Sequence, residues 1–250
     1  MRREIRTRLV SAFGALTLSV PSYAAAPPST SPLKTYVGDY TNRGTAFSPY
    51  FIADEAHLWS SANIEVCWES VEASLSNERG WVRGAVNNFI EANSAFRFGG
   101  QQWAQCDAST RARVRILVAD DGNAAESEVG HQDFGPTYMR MDFRFQNWNP
   151  ACAQTEAQRQ RCIETIAVHE FLHAVGTLHE QLSKDLETAD PKCWQLYKNS
   201  SDVGGTRPVS LTNYDPDSIM NYCHDIYSTP THLSKLDLIG LKSLSARYAG

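Results

Sequence analysis

Apolar residues recur at three-and-four spacing between residues 76 and 95, where Trp81, Val82, Ala85, Val86, Phe89 and Ile90 gather on one face. That spacing predicts an amphipathic helix over 76–95. The period changes to two at 113–119. There Val114, Ile116 and Val118 alternate with Arg113, Arg115 and Leu117, which predicts a half-buried strand. Met139, Met141, Phe143 and Phe145 alternate in the same way with Arg140, Asp142 and Arg144, and predict another. Residues 161–175 read as a central helix. Ser234 is placed to cap a last helix carrying Leu236, Leu238, Ile239, Leu241 and Leu244. Strands with an early helix, a central helix and an irregular region closed by a helix make an α+β pattern.

The chain starts differently. Arg2, Arg3, Arg6 and Arg8 precede a short apolar run from Leu9 to Val20, which Pro21 ends. Small residues at 22–26 offer a cleavage site. The run is too short for a membrane span, which needs about 20 apolar residues. Residues 1–24 therefore read as an export signal cut near 24–26. Residues 25–50 are rich in Pro, Ser, Thr and Gly and read as a linker or pro-segment. Packed-looking sequence runs from 51 to 250.

Composition changes the picture in two places. A formal charge of -5 lacks the basic balance of a nucleic-acid binder, so no nucleic-acid partner is expected. No later segment is long and apolar enough for stable membrane insertion. Six cysteines in an exported chain favour disulfides, and no C-x-x-C pair suggests a cysteine metal site. Nearness in the chain suggests Cys152 with Cys162 and Cys193 with Cys223; Cys67 and Cys106 are the remaining two.

The candidate chemistry lies in one string, His169-Glu170-Phe171-Leu172-His173-Ala174-Val175-Gly176-Thr177-Leu178-His179-Glu180. Residues four apart on a helix lie one above the other, so His169 and His173 can aim at one point. A third ligand further along the same helix would point away from that point. Gly176 tolerates the left-handed conformation that ends a helix, and lets His179 swing back. Three neutral imidazoles and a water make the open tetrahedral site of a catalytic zinc, whereas structural zinc is closed by four protein ligands. Glu170 is a poor fourth ligand but stands beside the water. It can serve as general base and then pass the proton to a leaving amine.

At these residues the chain resembles the metzincin clan, and within it the astacin family. Glu180 after the third histidine is the astacin-type choice. Asp217-Ser218-Ile219-Met220-Asn221-Tyr222 resembles that family's Met-turn. The resemblance implies that Met220 forms an apolar base under the metal. It also implies that Tyr222 swings between the zinc and the reaction intermediate, and that Glu180 partners the mature amino terminus. His57-Leu58-Trp59 with Ile64 is similar to the start of an astacin catalytic domain, and Leu233 to Asp237 to the start of the last metzincin helix. The implied fold is two-lobed: a twisted mixed sheet with two long helices over a smaller irregular lower lobe. Asn221 departs from the family's histidine, and Thr177 from a frequent aromatic. Tyr36-Val37-Gly38-Asp39-Tyr40 resembles an astacin pro-segment, which would make Asp39 a latency switch.

These readings lead to a secreted, extracellular or periplasmic, zinc-dependent endopeptidase. Its metal ligands are His169, His173 and His179, and its catalytic residues Glu170 and Tyr222. The expected cofactor is one Zn2+ ion. The expected partner is a polypeptide, bound in extended form along an edge strand near 126–134. The alternatives are a secreted zinc-stabilised binding protein and an amidase acting on cell-wall peptides.

Overall fold

The computed structural model describes residues 51–99, 103–107, 113–199, 208–210, 213–227 and 230–248. The export signal, its cut near 24–26, the linker and Asp39 lie outside the described residues. No described helix is long and apolar enough to cross a membrane.

The centre is a five-stranded sheet of β2 (Asn63–Trp68), β3 (Arg97–Gly99), β4 (Val114–Val118), β5 (Glu126–Ser127) and β6 (Thr137–Met141). Their order is β3-β2-β4-β6-β5. The first four run parallel, and β5 closes one edge antiparallel to β6. Arg140 on β6 fastens that edge, donating to Glu126 Oε1 and the Ala124 carbonyl. The edge strand expected near 126–134 thus begins at β5.

Two helices cover the sheet. α1 (Ser76–Ala85) packs against α2 (Glu156–Ala174). The helix expected over 76–95 is α-helical only to Ala85. It continues as a wider turn at Val86–Ile90 and a tighter one at Glu91–Asn93. α2 starts five residues before the expected 161, where Thr155 caps it by accepting from the Gln158 N–H. The strand expected through Phe145 stops at Met141. Asp142 Oδ1 accepts the N–H groups of Arg144 and Phe145, which draws the chain into a turn. Phe145 adopts φ +58° there. Phe143 and Phe145 are nevertheless buried, as their spacing predicts.

Among the described residues beyond His179 are short helices α3 (Leu186–Ala189) and α4 (Pro191–Tyr197), the strand β7 (Pro208–Ser210), and the closing helix α5 (Lys235–Ser245). β1 (Ile52–Asp54) pairs antiparallel with β7. α5 begins where predicted, with Ser234 and Asp237 forming a reciprocal capping box. Its Gly240 lies against Phe51, with no room for a Cβ. The disulfides are Cys67–Cys106, Cys152–Cys162 and Cys193–Cys223, so both pairings expected from nearness are present.

Candidate metal centre

The site is built on the last turns of α2. Phe171 faces the sheet, edge-on to Phe98 at 4.8 Å and stacked on Trp103 at 5.1 Å. That packing turns the His169 and His173 side chains the other way. A helix ends with four carbonyls lacking partners. Here each of them is taken: Phe171 by the Val175 N–H, Leu172 by Thr177, His173 by Gly176 and Gly130, and Ala174 by the Trp59 indole at 2.6 Å. Gly176 makes the stop possible, at φ +103°. Beyond it, the Asp54 N–H donates to the Gly176 carbonyl and the Leu178 N–H to Ile52. β1 thereby holds the segment that returns His179 to the helix.

Three imidazoles converge. The His169 and His173 Nε2 atoms lie 3.3 and 2.9 Å from His179 Nε2. His169 Nδ1 donates to the Ile219 carbonyl and His173 Nδ1 to the Thr177 carbonyl, both at 2.8 Å. A carbonyl only accepts, so these bonds fix the tautomer and leave both Nε2 lone pairs facing His179. Burial first, and then its neighbour His173, pushes His169 down to about 3. Burial, followed by His173 and His169, pushes His179 down as well. Burial thus favours the neutral form of His169 and His179. Three ring nitrogens gathered around one point offer a cation three ligands. Nitrogens about 2.0–2.1 Å from a tetrahedral zinc stand about 3.3 Å apart, close to the spacing seen. The donor set suits one zinc ion.

Glu170 is buried, and its Oε2 has no hydrogen-bond partner. Burial pushes it up to about 8, with Glu126 adding to the shift and Arg140 opposing it. A dication nearby acts in the opposite direction. Tyr222 is 37% exposed and stacks on His169, with its hydroxyl 2.9 Å from His169 Nε2. Met220 is buried, and its carbonyl accepts the Glu180 N–H. Glu180 is itself buried. Its carboxyl is held well above the usual range, by burial first and by Asp237, Asp215 and Asp185, against the pull of the Asp215 N–H.

Of the five site residues expected from sequence, the three histidines and Tyr222 come together, and Glu170 is buried next to His169 in the helix. Their supports were less visible. Asp237 accepts from Ser218 Oγ and the Ile219 N–H, and so holds the turn whose carbonyl orients His169. The capping pattern at Ser234 places Asp237 at the helix start, but not against that turn. Tyr227, half-buried and within electrostatic reach of Glu170, is a further neighbour that no motif marked.

No protein-family model matches the chain, and no curated protein matches it. Among solved structures it is similar to myroilysin, at 14% identity and TM-score 0.48, over 80% of this chain and 98% of that one. It is also similar to high choriolytic enzyme 1, a hatching enzyme zinc-protease from Oryzias latipes (Medaka fish). That likeness has 16% identity and TM-score 0.46, over 76% of this chain and 95% of that one. The chemistry of the centre rests on its own residues: three imidazoles around one point, the Tyr222 phenol against them, and the buried carboxyl of Glu170, next in sequence to His169.

Proposed function

We propose that the chain is a secreted zinc-dependent endopeptidase of astacin type. The observation that carries this reading is the convergence of three Nε2 atoms beside a buried carboxylate oxygen without a partner. His169, His173 and His179 would hold the ion. Bound zinc supplies Lewis acidity, polarising a carbonyl and lowering the pKa of a water to about 7.

Glu170 takes the proton of the attacking water on Oε2 and delivers it to the leaving amine. The Tyr222 hydroxyl donates to the oxygen on which charge develops. A polypeptide lies extended along the outer edge of β5, where backbone hydrogen bonds read the chain and side-chain pockets refine the choice. Three disulfides and the signal-like start of the sequence support export. Glu180 receives the ammonium of the mature amino terminus, and Asp39 keeps the untrimmed chain latent.

The test is incubation of an unfolded generic protein with the trimmed chain and with its Glu170→Ala variant, fragments being read by mass spectrometry. Both should hold one zinc, and only the wild type should cut. Equal fragmentation by the two would overturn the assignment of Glu170.

A further inference from the structure

Asn221 is the position at which the Met-turn departs from the family it resembles, and its surroundings show what the amide does. Its side chain is fully buried. Nδ2 donates to the Tyr214 hydroxyl at 2.9 Å and the Asp215 carbonyl at 3.0 Å, and Oδ1 accepts the Cys223 N–H at 2.9 Å. One short amide supplies both donors and the acceptor. A neutral imidazole has one of each and could not make all three bonds.

The bonds continue into a closed ring. The Tyr214 hydroxyl donates to Asp190 Oδ2 at 3.1 Å. Asp190 Oδ1 caps α4 by accepting the Cys193 N–H at 3.0 Å. Cys193 is disulfide-bonded to Cys223, whose N–H returns to Asn221. Tyr222 stands between Asn221 and Cys223. Both of its neighbours are thus fixed, one by hydrogen bonds and one by a covalent bridge. Its own ring projects to His169 and His179, at 5.0 and 4.4 Å between centroids. Tyr197 on α4 adds a long 3.5 Å contact to the Tyr222 carbonyl.

Resting on the peptidase reading, we propose that the ring Asn221–Tyr214–Asp190–Cys193–Cys223 is a positioning device for the Tyr222 phenol. Its members touch neither substrate nor metal. They act by fixing the backbone on either side of Tyr222, so that the hydroxyl meets the reacting oxygen without first being ordered.

The experiment uses two variants that weaken the ring at different points, each also made with Tyr222→Phe. Cys193→Ala with Cys223→Ala opens the bridge. Tyr214→Phe removes one hydroxyl, keeps the disulfide and changes shape little. Each should retain one zinc and an unchanged KM while kcat falls roughly 10–100-fold, short of the 10²–10³ expected for losing one transition-state donor. In the Tyr222→Phe background, neither change should lower kcat further, because both act through the missing hydroxyl. A second readout does not depend on turnover: the backbone amide of residue 223 should exchange slowly with solvent in the wild type and faster in both variants. A kcat loss as large in the Tyr222→Phe background as in the wild type would show a merely structural role and overturn the proposal. So would unchanged kcat, or unchanged exchange at the residue-223 amide. A wild type that cuts nothing would remove the peptidase reading and the device with it, whereas active variants with unmoved kcat would remove the device alone.

Discussion

The Tyr222 hydroxyl reaches the ring of His169 at Nε2, while the Ile219 carbonyl orients that ring from its far side. Tyr222→Phe is therefore expected to leave zinc content intact and to lower kcat by about 10²–10³; steady-state kinetics with metal analysis checks both. Asp142 illustrates a different economy at a single residue. Burial pushes its carboxyl up, with neighbouring Asp120 adding to the shift, although two backbone N–H groups pull it down. A carboxyl raised by folding adds stability below its unfolded pKa of about 3.9 and loses it as pH rises through the folded value. Oδ2 has no donor in reach. Asp142→Asn keeps an acceptor for both N–H groups and cannot ionise. It should gain roughly 1 kcal/mol over wild type near pH 7, a gain that shrinks below about pH 4; thermal unfolding at the two pH values measures it. The ligands were legible because all three fall in one short string whose spacing has a geometric meaning. The Ile219 and Thr177 carbonyls that fix the ring tautomers were not, because a backbone carbonyl leaves no mark in a sequence.

At the scale of elements, the turn after α2 carries the strain of the site. Gly176 sits at φ +103°, and an added Cβ would lie 2.7 Å from the end of the Leu58 side chain. Leu58 can shift, but the backbone angle cannot be relieved without moving His179. Gly176→Ala is expected to cost about 1–3 kcal/mol and to weaken zinc binding; unfolding midpoints and equilibrium dialysis give the two numbers. The helix itself was recognised from its ligand pair more than from its period. Twelve of its residues, Cys162, Ile163 and Thr165 through Ala174, are buried, so little apolar stripe remains to detect. Its early start could have been found, since Thr155 followed three residues later by Gln158 matches a capping pattern. The strand that ends at Met141 was misjudged for a local reason. Alternation persists through Phe145, but the Asp142 side chain competes for the backbone N–H groups a ladder would need.

Across the whole molecule, the first described residues run through its middle. Ala53 faces Thr177 in antiparallel register, and the Ile52 carbonyl takes the Leu178 N–H. Phe51, the first described residue, precedes this pair on a segment that runs antiparallel to the one leading to His179 and Glu180. A chain trimmed to begin at Tyr50 should thus place its ammonium at that buried carboxylate. It should gain about 1.5–3 kcal/mol over a chain beginning near residue 25, the worth of a charged hydrogen bond. Glu180→Ala should erase the difference, and unfolding of the four proteins decides it. Periodicity made α1, β4 and β6 readable, and with the capped last helix it gave the α+β class; it did not mark β1, β2, β3, β5, β7, α3 or α4. The pairing of β1 with β7 and with the metal segment was not readable, because contacts so distant in sequence have no local signature.

The three disulfides also partition the chain. Cys67–Cys106 closes within the first part, and Cys152–Cys162 and Cys193–Cys223 within the last. None spans residues 107–151. A nick in that interval, for instance beside the exposed Phe134, would leave two pieces with no covalent tie. They would part on a denaturing gel without reductant. A nick between Cys193 and Cys223 would stay hidden until the bridge was reduced, so the two gels together would locate a self-inflicted cut.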